Sequence, residues 1–166
     1  IKVIVKDGVP SGRWYTGGGI FRDVHLMIAE PTHIAPDGVF VKTESVDDQI
    51  AEIAVCTEVV NDDKTMKRIF LSAKLTDEAG KTVAEGNMPI TIRGHVTDTY
   101  KLRLFVKNPK LWDAEHPNLY HYEVSVCEKE TVLDIETGTF GIRKMQLDPV
   151  HGLRNNWKTV KLRGGL

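Results

Sequence analysis

Apolar and polar residues alternate with period two along four stretches of the 166-residue chain. Ile53, Val55, Thr57 and Val59 share one parity against Ala54, Cys56 and Glu58, and Ile69, Leu71, Ala73 and Leu75 oppose Arg68, Phe70, Ser72 and Lys74. Tyr100, Leu102, Leu104 and Val106 alternate with Lys101, Arg103, Phe105 and Lys107; Tyr122, Val124 and Val126 alternate with Glu123, Ser125 and Cys127. Successive side chains of a strand point to opposite faces, so one apolar parity marks antiparallel strands covered on one side only. Turn signals separate the runs at Pro36-Asp37-Gly38, Asn61-Asp62-Asp63, Asp77-Glu78-Ala79-Gly80 and Asn108-Pro109. Asp and Asn close local backbone hydrogen bonds, Gly accepts positive φ, and Pro ends a ladder. The pattern predicts seven or eight strands, near 20–29, 39–43, 50–60, 67–76, 82–92, 99–106, 119–127 and 131–143, and no amphipathic helix. That number and spacing predict an all-β fold, a two-sheet antiparallel sandwich of the immunoglobulin type.

Composition supports the strands. The chain holds 18 Val, 12 Ile and 14 Thr against 20 Ala plus Leu. Branching at Cβ costs rotamer freedom in a helix but packs well on a pleated surface. Lys plus Arg is 22 and Asp plus Glu is 23, a formal charge of -1, without the basic excess that neutralising many phosphates requires, so no nucleic-acid partner is expected. No apolar run approaches the roughly 18 residues that span a bilayer, and no signal-peptide pattern opens the chain, so no membrane partner is expected either. The chain opens at Ile1 without a Met and closes on Gly164-Gly165-Leu166 after the alternating run Val160-Lys161-Leu162-Arg163, which suggests a piece of a larger protein.

Candidate chemistry is sparse. Cys56 and Cys127 lie on strands placed like the two bridged strands of an antibody domain, but both fall on the polar parity, and Ser125 stands where those domains carry a tyrosine. Side chains pointing away from each other on opposite sheets exceed bridging range, so both thiols are expected to be free. His25, His33, His95, His116, His121 and His151 are scattered without zinc-ligand spacing, and no metal or cofactor is expected. No Gly-x-Ser-x-Gly elbow surrounds any serine. Gly17-Gly18-Gly19 has no Lys-Ser/Thr pair or helix after it, which favours a tight strand crossing over a phosphate loop. Asp47-Asp48, Asp62-Asp63 and Asp113-x-Glu115 fall in turns or at strand edges, where neighbouring carboxylates are solvated and lack the apolar pocket that raises one pKa. Trp112, Pro117, Leu119 and Tyr120 are either an aromatic platform for a sugar or a plug for the end of a sandwich, and their apolar neighbours favour the plug.

Four segments occur in order: Gly19-Ile20-Phe21-Arg22-Asp23-Val24, Asn108-Pro109-Lys110-Leu111-Trp112-Asp113-Ala114-Glu115-His116-Pro117-Asn118-Leu119-Tyr120, Phe140-Gly141-Ile142-Arg143 and Val160-Lys161-Leu162-Arg163-Gly164. Their order and spacing resemble glycoside hydrolase family 2, the β-galactosidases, β-glucuronidases and β-mannosidases, with the first two segments most similar to the β-galactosidases. The resemblance implies a jelly-roll sugar-binding domain, then an immunoglobulin-like sandwich, then a TIM barrel with the active site. On that pattern residues 1–19 are the last strand and exit of the jelly roll, 20–146 the sandwich, and 147–166 a linker hairpin leading to the first barrel strand. With the flanking domains missing, residues 1–19 and 153–166 are expected to be mobile or paired with another copy of the chain. The family's Gly-x-x-x-Asn-Gly turn stands here as Gly152-Leu153-Arg154-Asn155-Asn156-Trp157, with Trp157 in place of the glycine.

The resemblance also implies which chemistry is missing. The family's acid/base glutamate follows an asparagine on a barrel strand, and this chain has no Asn-Glu dipeptide. Retaining hydrolysis needs two carboxyl groups roughly 5 Å apart on a rigid frame, so no catalytic residue is expected and the chain is a spacer whose β-glycoside substrate belongs to its parent. Arg22 and Trp112 are expected to be framework residues, and Arg13 and Trp14 the only substrate-proximal ones in the parent, with domain-interface packing as the competing role. The competing readings of the whole chain are a stand-alone carbohydrate-binding or adhesion module, and a parent that is a β-glucuronidase or β-mannosidase.

Overall fold

The computed structural model of the chain describes residues 2–6, 18–20, 22–162 and 164. Among the described residues ten strands follow one another: β1 (Thr32–Val46), β2 (Ile50–Asn61), β3 (Lys67–Thr76), β4 (Thr82–Ile92), β5 (Val96–Lys107), β6 (Tyr120–Glu128), β7 (Thr131–Phe140), β8 (Met145–Asp148), β9 (Gly152–Asn155) and β10 (Lys158–Thr159). The first seven make a sandwich of a three-stranded sheet, β1-β2-β5, and a four-stranded sheet, β4-β3-β6-β7. All their pairings are antiparallel. The chain changes sheet at Asp62–Met66, at Arg93–His95 and in the long β5–β6 loop, Asn108–Leu119. This is the immunoglobulin-like sandwich that the alternation predicts.

The expected parity holds except at Ala54, which lies on the polar parity of β2 and is fully buried. Ile53, Val55, Leu75, Val124 and Val126 are fully buried between the sheets. Cys56 pairs with Phe40 and Lys101 in one sheet, and Cys127 with Phe70 and Val132 in the other. Both thiols are half-buried and free.

Where β1 and β7 meet at the edges of the two sheets, Ile34 N donates to Asp134 Oδ2 at 2.9 Å. At the end where β2 leaves the sheet, Asn61 is fully buried. Its Oδ1 accepts from Thr32 Oγ1 at 3.1 Å and Asp63 N at 3.1 Å, and its Nδ2 donates to Thr65 O at 2.9 Å and Arg93 O at 3.1 Å. One side chain thus ties the start of β1 to both turns that cross between the sheets.

Three expectations fail. Residues 22–30 form no strand, although Val24, Leu26 and Ile28 alternate. These three are exposed, and no described residue offers that segment a ladder of hydrogen bonds, without which alternation alone does not hold a strand. Arg22 therefore stands outside any strand. Second, Pro36-Asp37-Gly38 does not separate two strands. It is a bulge inside β1, because Ile34 pairs with Val59 and Val39 with Thr57, setting four residues opposite Glu58 alone. Proline's missing N–H is tolerated on this edge strand, and a Cβ on Gly38 would lie 2.5 Å from Ala35 O, so only glycine fits. Third, residues 145–159 form a separate three-stranded sheet, β10-β9-β8, paired within the chain rather than a single hairpin.

Candidate functional site

The two-sheet core leaves one end of the sandwich to be closed by the β5–β6 loop, and Trp112 is the centre of that closure. Its N–H donates to Ile142 O at 2.8 Å, just past β7, and it bridges to Pro117 across the loop. Asn118 Nδ2 donates to Leu111 O at 2.8 Å, and Tyr120, buried at the start of β6, accepts Lys110 N on its hydroxyl at 2.8 Å. A Cβ on Gly141 would lie 2.7 Å from Trp112 Cβ, so the indole seats against bare backbone. The Arg143 guanidinium covers the indole at 4.8 Å from its centroid, a cation–π contact. Trp112 is a plug, as its neighbours in sequence suggest, half-buried and with Arg143 over one face of its ring.

The small sheet is fastened to this plug. Asn155 Nδ2 at 3.3 Å and Asn156 Nδ2 at 2.9 Å both donate to the Trp112 carbonyl, and Asn156 Oδ1 accepts Lys144 N at 2.9 Å. The asparagines reach inward because the β9–β10 hairpin turns on two residues with positive φ, Asn156 at 47° and Trp157 at 65°. That is the geometry of a type I′ turn, for which a bulky side chain is an outlier. Contacts offset the strain: Arg154 donates to Trp157 O, the Lys144 ammonium sits 5.5 Å from the indole centroid, and the ring packs against the core. Clefts lie on both sides of Trp112. One, of about 580 Å³, is lined by Phe40, Thr43, Phe140 and Arg143. The other, of about 470 Å³, runs between the loop and the β9–β10 hairpin.

Carboxylates near the corner serve turns. Asp113 Oδ1 accepts His116 N at 2.6 Å and Glu115 N at 2.9 Å, and faces His116 Nδ1 at 3.2 Å. Asp148 repeats the arrangement with His151 N at 2.9 Å, Val150 N at 2.8 Å and His151 Nδ1 at 3.2 Å. The backbone N–H of His116 chiefly holds Asp113 below the ordinary carboxylate value, and that of His151 does the same for Asp148. Glu136 on β7 is the exception: burial, then the charges of Asp134 and Asp37, push it up. Asp134 is committed to backbone, accepting Ile34 N and Ile135 N. No group of three or more metal-ligating side chains lies together among the described residues. Arg13, Trp14 and Gly17 lie outside the described residues; Gly18 and Gly19 are exposed. Asn155 and Asn156 escape the sequence reading, which sees only a turn in them.

Residues 32–143 match the sequence profile of Glycosyl hydrolases family 2. A β-galactosidase of Bacteroides ovatus is 34% identical over 93% of this chain, and a putative β-glucuronidase of Formosa agariphila is 33% identical over 99% of it. The chain spans only 18% and 15% of those two proteins. Among solved structures, a glycosyl hydrolase family 2 member from Bacteroides cellulosilyticus superposes with a TM-score of 0.78 at 28% identity, over 82% of this chain and 19% of that one. A β-glucuronidase from the same family superposes with a TM-score of 0.73 at 26% identity, over 81% of this chain and 15% of that one. The matched span begins at β1 and runs through the Trp112 corner to Arg143, so the chain belongs to glycoside hydrolase family 2 and its seven-stranded sandwich is that family's immunoglobulin-like domain.

Proposed function

We propose that this chain is a non-catalytic frame within a longer family 2 glycoside hydrolase, setting a sugar-binding jelly roll, to which residues 1–19 belong, against a catalytic TIM barrel entered through residues 147–166. The observation that carries this reading is the pair of asparagine amides on the Trp112 carbonyl. A spacer must pass orientation from one domain to the next, and here the segment leaving the sandwich is bonded back to the plug that closes it. The described acids also suit a frame. Asp113 and Asp148 cap turns as ionised groups, and a carboxyl held low is a poor proton donor at neutral pH. Glu136 is raised, but its neighbour Asp134 serves the seam between the sheets rather than facing a substrate. Arg13 and Trp14 would lie nearest the sugar in the parent.

The parent is a retaining β-galactosidase on this reading, supported by the relative in Bacteroides ovatus and by the Asn108–Trp112 segment. A β-glucuronidase parent is the second reading, favoured by the relative in Formosa agariphila. Assaying the purified chain and the longer polypeptide side by side with aryl β-galactoside and aryl β-glucuronide tests both. The expected result is no turnover by the chain and hydrolysis of the galactoside by the longer protein. Turnover by the chain that disappears in Glu136→Gln would overturn the frame; preference of the longer protein for the glucuronide would overturn only the galactosidase parent.

A further inference from the structure

The outer faces of the two sheets are built differently. On the three-stranded sheet the charges are matched within the face: Lys42 and Lys101 both reach Glu44, and Arg103 reaches Glu52. Ala54, between Lys42 and Arg103 in the register, is fully buried although it points outward. The four-stranded sheet is not matched in this way. Pro89, Phe70, Cys127 and Val132 stand side by side in register, one on each strand, and Ile135 lies in the next row. Phe70 is 46% exposed, and Val132 and Ile135 are each 51% exposed, so an apolar band crosses the whole sheet in contact with water. Further along the strands Glu85, Lys74, Glu123 and Thr137 form a second row. Lys74 and Glu123 are direct cross-strand neighbours, yet neither they nor Glu85 form an ion pair among the described residues.

An exposed apolar band rimmed by polar residues is the mark of an association surface, because covering it releases the water held against it. The rows also define what fits. Turning a second copy over by a half-turn, about an axis that runs along the strands between β3 and β6, lays β3 of each copy on β6 of the other. The rows keep their places. Pro89 and Phe70 then face Val132 and Cys127 of the second copy, and Lys74 faces Glu123 twice, once in each direction. Glu85 meets the hydroxyl of Thr137, a donor for its carboxylate. Arg68, near the start of β3, comes over the β6–β7 turn, which carries Glu128, Lys129 and Glu130. Such a face is complementary to itself in apolarity and in charge, as a two-fold interface requires. Four strands spaced about 4.8 Å apart, with about nine residues each at ~3.4 Å, present roughly 600 Å² per copy. Two copies bury about 1,200 Å², the lower limit of a stable interface, so the dimer comes apart on dilution.

We propose that the outer face of the β4-β3-β6-β7 sheet is a self-association surface, on which a second copy of this chain packs face to face with Lys74 of each copy on Glu123 of the other. The proposal goes beyond the part the chain plays in hydrolysis, and its failure leaves the frame reading untouched.

Sedimentation velocity of the 166-residue chain and of the longer protein, from about 1 to about 500 μM, tests it. Both are expected to pass from monomer to dimer in that range, and Phe70→Glu, which sets a charge in the apolar band, is expected to leave the chain monomeric. Lys74→Glu and Glu123→Lys each set like charges against one another at both contacts, and each is expected to weaken the dimer at least about tenfold. Mixed in equal amounts, these two variants are expected to associate as tightly as the unchanged chain, because both contacts are then opposite in charge. All three substituted side chains are exposed, so the variants keep the fold. A chain that stays monomeric throughout overturns the proposal. So does a dimer that survives Phe70→Glu, or a mixture no tighter than its components. A chain that dimerises within a longer protein that does not also overturns it, since another domain of that polypeptide then covers the face.

Discussion

Both ends of the sandwich are closed by a buried asparagine, and they are closed differently. At one end Asn61 is fully buried and both ends of its amide are satisfied inside the domain, by Thr32, Asp63, Thr65 and Arg93. At the other, Asn155 donates to Trp112 and its acceptor meets no donor among the described residues. The difference marks the Asn61 end as satisfied within the sandwich itself.

Substitutions at the two ends separate these roles, and the closed end should show the largest effect. Asn61→Ala removes the hydrogen bonds to Thr32, Asp63, Thr65 and Arg93 and strands buried partners, so chemical denaturation of the whole chain should show a loss of about 3 kcal/mol or more. Gly141→Val forces side-chain atoms into Trp112, an overpacking cost of ~1–3 kcal/mol, and the same denaturation experiment should find it without loss of the β2–β5 ladder. Asn156→Ala removes one bond to Trp112 and one from Lys144, about 1–2 kcal/mol. Its exchange signature should be confined to β8–β10; a global loss as large as that of Asn61→Ala would erase the distinction between the ends.

The smallest effects are expected from acids and differ in sign. Asp148 is held low by the His151 and Val150 amides, so its contribution is present above its ordinary value of 3.8 and disappears as pH falls through the folded value. Asp148→Asn should therefore be less stable than the parent sequence at pH 7, with the gap closing in acid. Glu136 is held high by burial and by Asp134 and Asp37, so its contribution is present below its ordinary value of 4.5 and is lost as pH rises through the folded value. Glu136→Gln should be slightly more stable at pH 7 and indistinguishable in acid. Thermal melts from pH 3 to 7 read both signs, and equal signs would contradict the assignment.

The sandwich is legible in the sequence because a half-buried strand writes its burial into every second residue. Strands β2 to β6 follow the alternation to within a few residues. That signal fails where burial and pairing part company. Residues 22–30 alternate without a partner ladder, while β8, Met145–Asp148, alternates Met-Gln-Leu-Asp over only four residues with Met145 and Leu147 exposed, a run too short to stand out. The long bulge in β1 looks like a turn because Pro, Asp and Gly serve both. At the corner, Trp112 is recognisable from its apolar neighbours and the Asn-Pro-Lys-Leu-Trp segment. Asn155 and Asn156 are not, because their role depends on a carbonyl 43 and 44 residues away, and an asparagine before a hairpin loop looks the same whether its amide faces water or a plug.

The claim that the chain is a frame stands on the sandwich and the sheet that leaves it moving as one body. Backbone ¹⁵N relaxation of the isolated chain measures this directly. Amides of β8–β10 should show order parameters near those of β2, about 0.85 as in rigid backbone. Values below about 0.6 across residues 145–159, with β2 still rigid, would mean that the exit sheet swings free and transmits no orientation.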